Sequence, residues 1–231
     1  MSELIRVTGL TNREFFARHA QAGRVGLVGG GELINRLIAR AQRHLDARHD
    51  WSMWSHAFVF QGERIDGRQW VIESDLDIHR KHIRLGLQEN RVEKYFDDEA
   101  YTVAAVIDFG LSAEQVRAVL AHSLDLVANN TRYSLRELFG TLLALKNPTL
   151  RSEDNLLARD RSFYCSAFVR HVFAQAGVEL APGVAEKNTT PEDLFRSTRE
   201  HTQWLLVRRR PTSQVKAAVR RVRARIRLAG F

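Results

Sequence analysis

RSFYCSAFVRHVFAQAG, residues 161–177, contains the only cysteine of the 231-residue chain. The stretch reads as the start of an amphipathic helix beginning near Phe163 or Tyr164, which places Cys165 in the first turn. There the backbone N–H groups have no intrahelical acceptor and the helix dipole favours an anion. A thiolate is the nucleophilic form of cysteine, so a first-turn position prepares it for chemistry. Lone cysteines also serve as small buried hydrophobes, and position alone does not separate the two readings.

A nucleophile needs a base, and the chain has nine histidines. His19, His44, His122 and His171 fall on charged helical stretches and read as solvated. His56 instead opens the short apolar run HAFVF, residues 56–60, a strand by composition. A second strand-like run, QWVIES (69–74), follows the turn-rich loop QGERIDGR (61–68). Closing the hairpin symmetrically between Gly62 and Gly67 sets Glu73 opposite His56 on the same face, where its carboxylate would accept the Nδ1 proton and leave Nε2 for the thiol. A slip of one residue would separate them.

Elsewhere, Thr11 with Glu14 and Ser112 with Gln115 form capping boxes that start helices, the first closing at Gly23 and the second at the Asn129-Asn130 pair. Helical spacing covers 32–45 and 132–145, and Thr190 caps a helix with Pro191 at its first position. YTVAAVIDF (101–109) and QWLLVRR (203–209) read as strands. The Gly29-Gly30-Gly31 run precedes Glu32 and Leu33 rather than Lys and Ser/Thr, so it is no phosphate loop. Strands and helices are partly segregated, which predicts an α+β fold.

The formal net charge is +8. Nine Arg or Lys and no acid lie between Arg208 and Phe231, leaving the rest of the chain at −1. Val215, Val219, Val222 and Ile226 mark one stripe of this tail and Lys216, Arg220, Arg223 and Arg227 another, predicting a basic amphipathic helix over 208–231. Such a helix suits an anionic membrane surface or nucleic acid, or it docks on its own domain. No glycine-aromatic RNA-binding signature occurs, which ranks nucleic acid lower. Asp77, His79 and His82 are spaced like metal ligands, but Arg80, Lys81 and Arg84 oppose a cation, so no metal and no cofactor is expected. One cysteine and no signal peptide predict a reducing, cytoplasmic setting.

Several short stretches, in order, resemble the permuted NlpC/P60 papain-like proteins, the YaeF/YiiX group. WSHAFVF (54–60) is similar to their Ser-His strand, FYCSAFV (163–169) to their Tyr-Cys-Ser helix start, GELINRL (31–37) to the Gly-Asp box with Glu32 in place of Asp, and TTPEDLF (189–195) to the Thr-Pro-x-Asp-Leu segment. In this group histidine and the third polar residue precede the cysteine, the order found here. The resemblance spans about residues 25–207 and implies a cysteine helix packed on an antiparallel, barrel-like sheet, with Cys165 as nucleophile, His56 as base and Glu73 as orienting acid. Residues 1–207 then form one hydrolase domain with a helical insertion at about 86–150, and 208–231 a basic C-terminal helix. The expected activity is a cysteine hydrolase acting on an amide of a peptide or amino-acid conjugate through a thioacyl intermediate. A lipid esterase or acyltransferase recruited to anionic membranes by the tail, and a non-catalytic nucleic-acid or membrane-binding module, are the alternatives.

Overall fold

A computed structural model describes residues 2–30, 52–79, 82–129 and 164–208, with only the backbone described at 76–79 and 82–85. The helices expected at 32–45 and 132–145, the GELINRL segment, the tail beyond Arg208 and the side chains of Asp77, His79 and His82 lie outside the described residues. What remains is a mixed α+β structure whose strands form one seven-stranded sheet.

In chain order the elements are β1 (Glu3–Val7), α1 (Asn12–His19), β2 (Val25–Gly30), β3 (His56–Glu63), β4 (Gln69–His79), β5 (His82–Arg91), a 3-10 turn (Val92–Tyr95), β6 (Tyr101–Asp108), α2 (Ala113–Ala128), α3 (Cys165–Gln175), a second 3-10 turn (Glu186–Asn188), α4 (Pro191–Phe195) and β7 (Thr202–Val207). The strands lie side by side as β1-β7-β6-β2-β3-β4-β5. Every neighbouring pair is antiparallel except β1 with β7, so the sheet is mixed rather than wholly antiparallel. Among the described residues β1 and β5 stand at its two edges.

Caps and alternation account for these elements. Thr11, Ser112 and Thr190 each accept from the N3 amide while the N3 side chain returns to the cap backbone, so all three helices start where their hydroxyls stand. α1 ends at His19, short of Gly23, because Ala20 turns to an extended conformation. The central strands are apolar on both faces. Ala57, Val59, Val25, Leu27, Ala105 and Ile107 pack under α3 with Phe168, Val172 and Phe173. The alternate residues Phe58, Phe60, Val28, Ala104 and Val106 pack with Phe15 and Phe16 of α1 on the other side.

Two expectations need correction. The stretch 86–150 was expected to be a helical insertion, yet it supplies most of β5 and all of β6, and α2 is its only α-helix among the described residues. β6 lies between β2 and β7, so this region completes the sheet. The β3–β4 register also differs, since Val59 pairs with Ile72 and Phe60 with Val71, whereas Gly62 pairs with Trp70. The shift between Phe60 and Gly62 leaves Gln61 as the extra residue of a β-bulge. Glu73 therefore lies diagonal to His56 rather than opposite it. The pairing at the hairpin tip, continued without the bulge, would set the two on opposite faces, and the extra residue returns them to one face.

At two of its glycines β2 approaches its neighbours too closely for a side chain. A Cβ on Gly29 would stand 1.8 Å from the carbonyl oxygen of Met53, and one on Gly26 2.1 Å from the Phe58 ring. Backbone cannot swing aside as a ring can. Gly29→Ala should therefore cost at least about 2 kcal/mol in urea unfolding, in the range of overpacked cores, and more than Gly26→Ala.

Candidate active site

Cys165 is the first residue of α3, preceded by the N-cap Tyr164, whose side chain makes no capping bond. The first turn is held from outside. Tyr164 Oη and Ser166 Oγ both donate to the Thr189 carbonyl, at 2.5 and 2.8 Å, and the buried Arg170 donates to Thr189 Oγ1 at 3.0 Å. The TTPEDLF segment also reaches the residues ahead of β3, where Ser52 Oγ donates to Glu192 Oε2 at 2.6 Å and the Trp54 and Phe195 rings lie 4.9 Å apart. One segment thus fixes both the cysteine turn and the approach to His56.

His56 begins β3 and meets both partners expected of it. Its Nε2 lies 2.6 Å from Glu73 Oε2. The expected ring orientation is thus reversed, because Nε2 faces the acid and Nδ1 is left for the sulfur. Burial alone would lower the imidazole pKa, but hydrogen bonding and charge from Cys165 and then Glu73 raise it to about 10. His56 consequently joins the two sides of the sheet. Cys165 belongs to the apolar cluster beneath α3, whereas Tyr95, whose ring lies 6.1 Å from the imidazole, belongs to the cluster on the α1 side.

Glu73 is fully buried. Its Oε2 accepts from His56 and from the Tyr95 hydroxyl, and its Oε1 from Asn90 Nδ2 at 2.6 Å and Lys94 Nζ at 2.9 Å. Burial would push this carboxyl up, but the His56 hydrogen bond and the Lys94 charge outweigh it and hold it far below the usual carboxylate range. Lys94 also pairs with Asp75, and its pKa is raised by both carboxylates against the effect of burial. Burial and the same two acids raise Tyr95, which keeps its hydroxyl proton and remains a donor. With Glu73 and Asp75 negative and Lys94 positive, a charged imidazole brings this group to neutrality.

Asn90, Lys94 and Tyr95 lie in the stretch expected to be an insertion and carry no motif. Their only sequence signal is the antiparallel return of β5, which pairs Asn90 with Val71 on the face of Glu73. Of the histidines expected in solvent, His19 stacks on Trp204 at 4.8 Å and His171 bonds Glu186 at 3.0 Å. No group of three metal-ligating side chains occurs among the described residues. No protein-family model matches this chain, and no curated protein matches it at a significant level.

The raised imidazole fixes the sign of a pH effect. Stability from the His56 proton is complete below the ordinary value of 6.5 and is lost as pH rises through about 10. The Glu73 contribution runs the other way, present above 4.5 and lost in acid. NMR titration should show the His56 ring protonated at neutral pH and titrating near 10, and Glu73→Gln should bring that midpoint down. Tyr95→Phe should cost about 1.5–3 kcal/mol in urea unfolding, as for a lost hydrogen bond to a buried charge.

Proposed function

We propose that this chain is a thiol-dependent hydrolase of the permuted papain-like type, acting on an amide bond of a peptide or amino-acid conjugate. The observation that carries the reading is an imidazole engaged at once by the lone cysteine, at the first residue of a helix, and by a fully buried carboxylate. The order of the three residues along the chain, His56, Glu73 and Cys165, agrees with it.

In this reading Cys165 attacks as the thiolate while its proton resides on His56. The sulfur bonds to the carbonyl carbon and the carbonyl electron pair moves to oxygen, stabilised by N–H groups of the first turn of α3. When the tetrahedral species collapses, the C–N bond breaks and the amine leaves with the proton from His56. Water then attacks the thioester, gives its proton to His56, and the thiolate departs. Glu73 holds the ring and its charge throughout. Lys94, Tyr95 and Asn90 hold Glu73.

Iodoacetamide should alkylate Cys165 in the folded protein faster than a model thiol at pH 7, with one adduct by intact mass, and His56→Ala should slow this reaction. An unreactive thiol would make Cys165 a packed hydrophobe. Intact-mass analysis with a panel of acyl donors should detect an acyl adduct of an amide or activated amino-acid ester, absent in Cys165→Ser. For the substrate so found, His56→Ala should lower turnover on the order of 10²- to 10⁴-fold, the usual share of a general acid and base.

A further inference from the structure

We propose that Lys94 is a positioning residue of this site: by answering the charge of Glu73 and Asp75, it lets His56 release the proton that the two carboxylates would otherwise hold on the ring. In the hydrolase reading above, on which this rests, the imidazole is charged when the amine leaves and must be neutral when water attacks. A ring that never loses its proton completes only the first half of the cycle.

Lys94 is placed for this by the 3-10 turn that ends β5. Successive residues of the turn meet different partners. Glu93 pairs with Arg68 near the hairpin tip, Lys94 pairs with both Glu73 and Asp75, and Tyr95 donates to Glu73. The ammonium lies 2.9 Å from Glu73 Oε1, and His56 Nε2 lies 2.6 Å from Oε2 of the same carboxyl group. Two cations thus flank one carboxylate, and each reduces what the other gains from it. Glu73 has no exposed side-chain surface, whereas the side chains of Lys94 and Asp75 keep 26% and 22% of theirs. Lys94 carries positive charge from the margin of the protein to a carboxylate shielded from water, where a charge acts more strongly than it does in solvent.

The charges decide the direction of the effect. Among the described residues, the ionisable groups linked to the imidazole are Cys165 from α3, Glu73 and Asp75 from β4, and Lys94 and Tyr95 from the turn. Tyr95 keeps its proton and is neutral. In the thioacyl enzyme the sulfur is bonded to carbon and carries no charge, so of the two groups that raise the imidazole against burial only Glu73 remains. The ring then faces Glu73 and Asp75 against Lys94, a net single negative charge. Without Lys94 it faces both carboxylates unanswered, and imidazolium is retained when water needs a base.

Both Lys94→Gln and Asp75→Asn break the pair between Lys94 and Asp75, yet they should move the imidazole in opposite directions. By NMR titration Lys94→Gln should raise the His56 midpoint by on the order of one unit and Asp75→Asn should lower it. The two together should return it toward the wild-type value, and Lys94→Arg, which keeps the charge, should leave it there. Loss of a merely structural contact has no such reversal of sign. A midpoint that Asp75→Asn raises or leaves in place overturns the proposal, even where Lys94→Gln fails to fold. So does a shift of the same sign in both single variants.

The nitrophenyl ester of N-acetylalanine reads the kinetic consequence, since its leaving group needs no proton and only deacylation depends on the neutral ring. By intact mass, Lys94→Gln should form the Cys165 adduct and hold it severalfold longer at pH 7 than the wild-type chain, with faster decay at higher pH. Decay at the wild-type rate overturns the proposal. Midpoints that move as expected, with no adduct from this ester or from the donor panel, would remove the hydrolase reading alone.

Discussion

A carboxylate with no exposed surface must have its charge answered inside the protein, and Glu73 is answered by four donors. They come from three requirements of the fold. The bulge at Gln61 puts His56 on the face of Glu73, the antiparallel return of β5 brings Asn90 beside it, and the 3-10 turn that ends β5 supplies Lys94 and Tyr95. Removing one donor leaves the others to hold a buried charge, which is why the site is a unit rather than a set of contacts. The same charge helps to raise the imidazole, so the electrostatics of the core and the proton affinity of His56 are linked.

Two residues of the candidate site, Cys165 and His56, were legible because they break the local pattern. A lone cysteine at a helix start and a histidine at the head of an apolar strand are anomalies that a reader of sequence notices. Helix starts were equally clear, since Thr11, Ser112 and Thr190 announce their caps with side chains placed three residues later. The supporting shell was not legible. Asn90, Lys94 and Tyr95 are ordinary polar residues whose value comes from cross-strand neighbours, and periodicity says nothing of neighbours. β5 was missed although Ile83, Leu85 and Leu87 alternate, because His82 and Arg84 read with Arg80 and Lys81 as a charged run and the polar stretch from Gln88 to Arg91 gains its place only by pairing with β4. The bulge has no sequence signature here, although it decides the face on which His56 stands.

The sheet keeps its two apolar clusters apart, one under α3 and one under α1, with His56 at a strand head between them. Phe58 belongs to the second cluster and stacks on Tyr95 at 4.6 Å with nearly parallel planes, so the ring that donates to Glu73 is positioned by the packing under α1. Gly26 leaves the space in which the Phe58 ring lies. A backbone approach in β2 is in this way connected, through two aromatic rings, to the proton affinity of the imidazole.

The parallel pairing of β1 with β7 joins Glu3 to Thr202 and Val7 to Leu206. Among the described residues β1 has no other strand partner. During synthesis on the ribosome, the first strand made must wait for the last, and β7 leaves the exit tunnel only after the residues beyond it are translated. The sheet therefore gains β1 only by bringing together segments far apart in sequence, a step expected to be slow. Until then β1 stays unpaired, a segment for chaperones to guard.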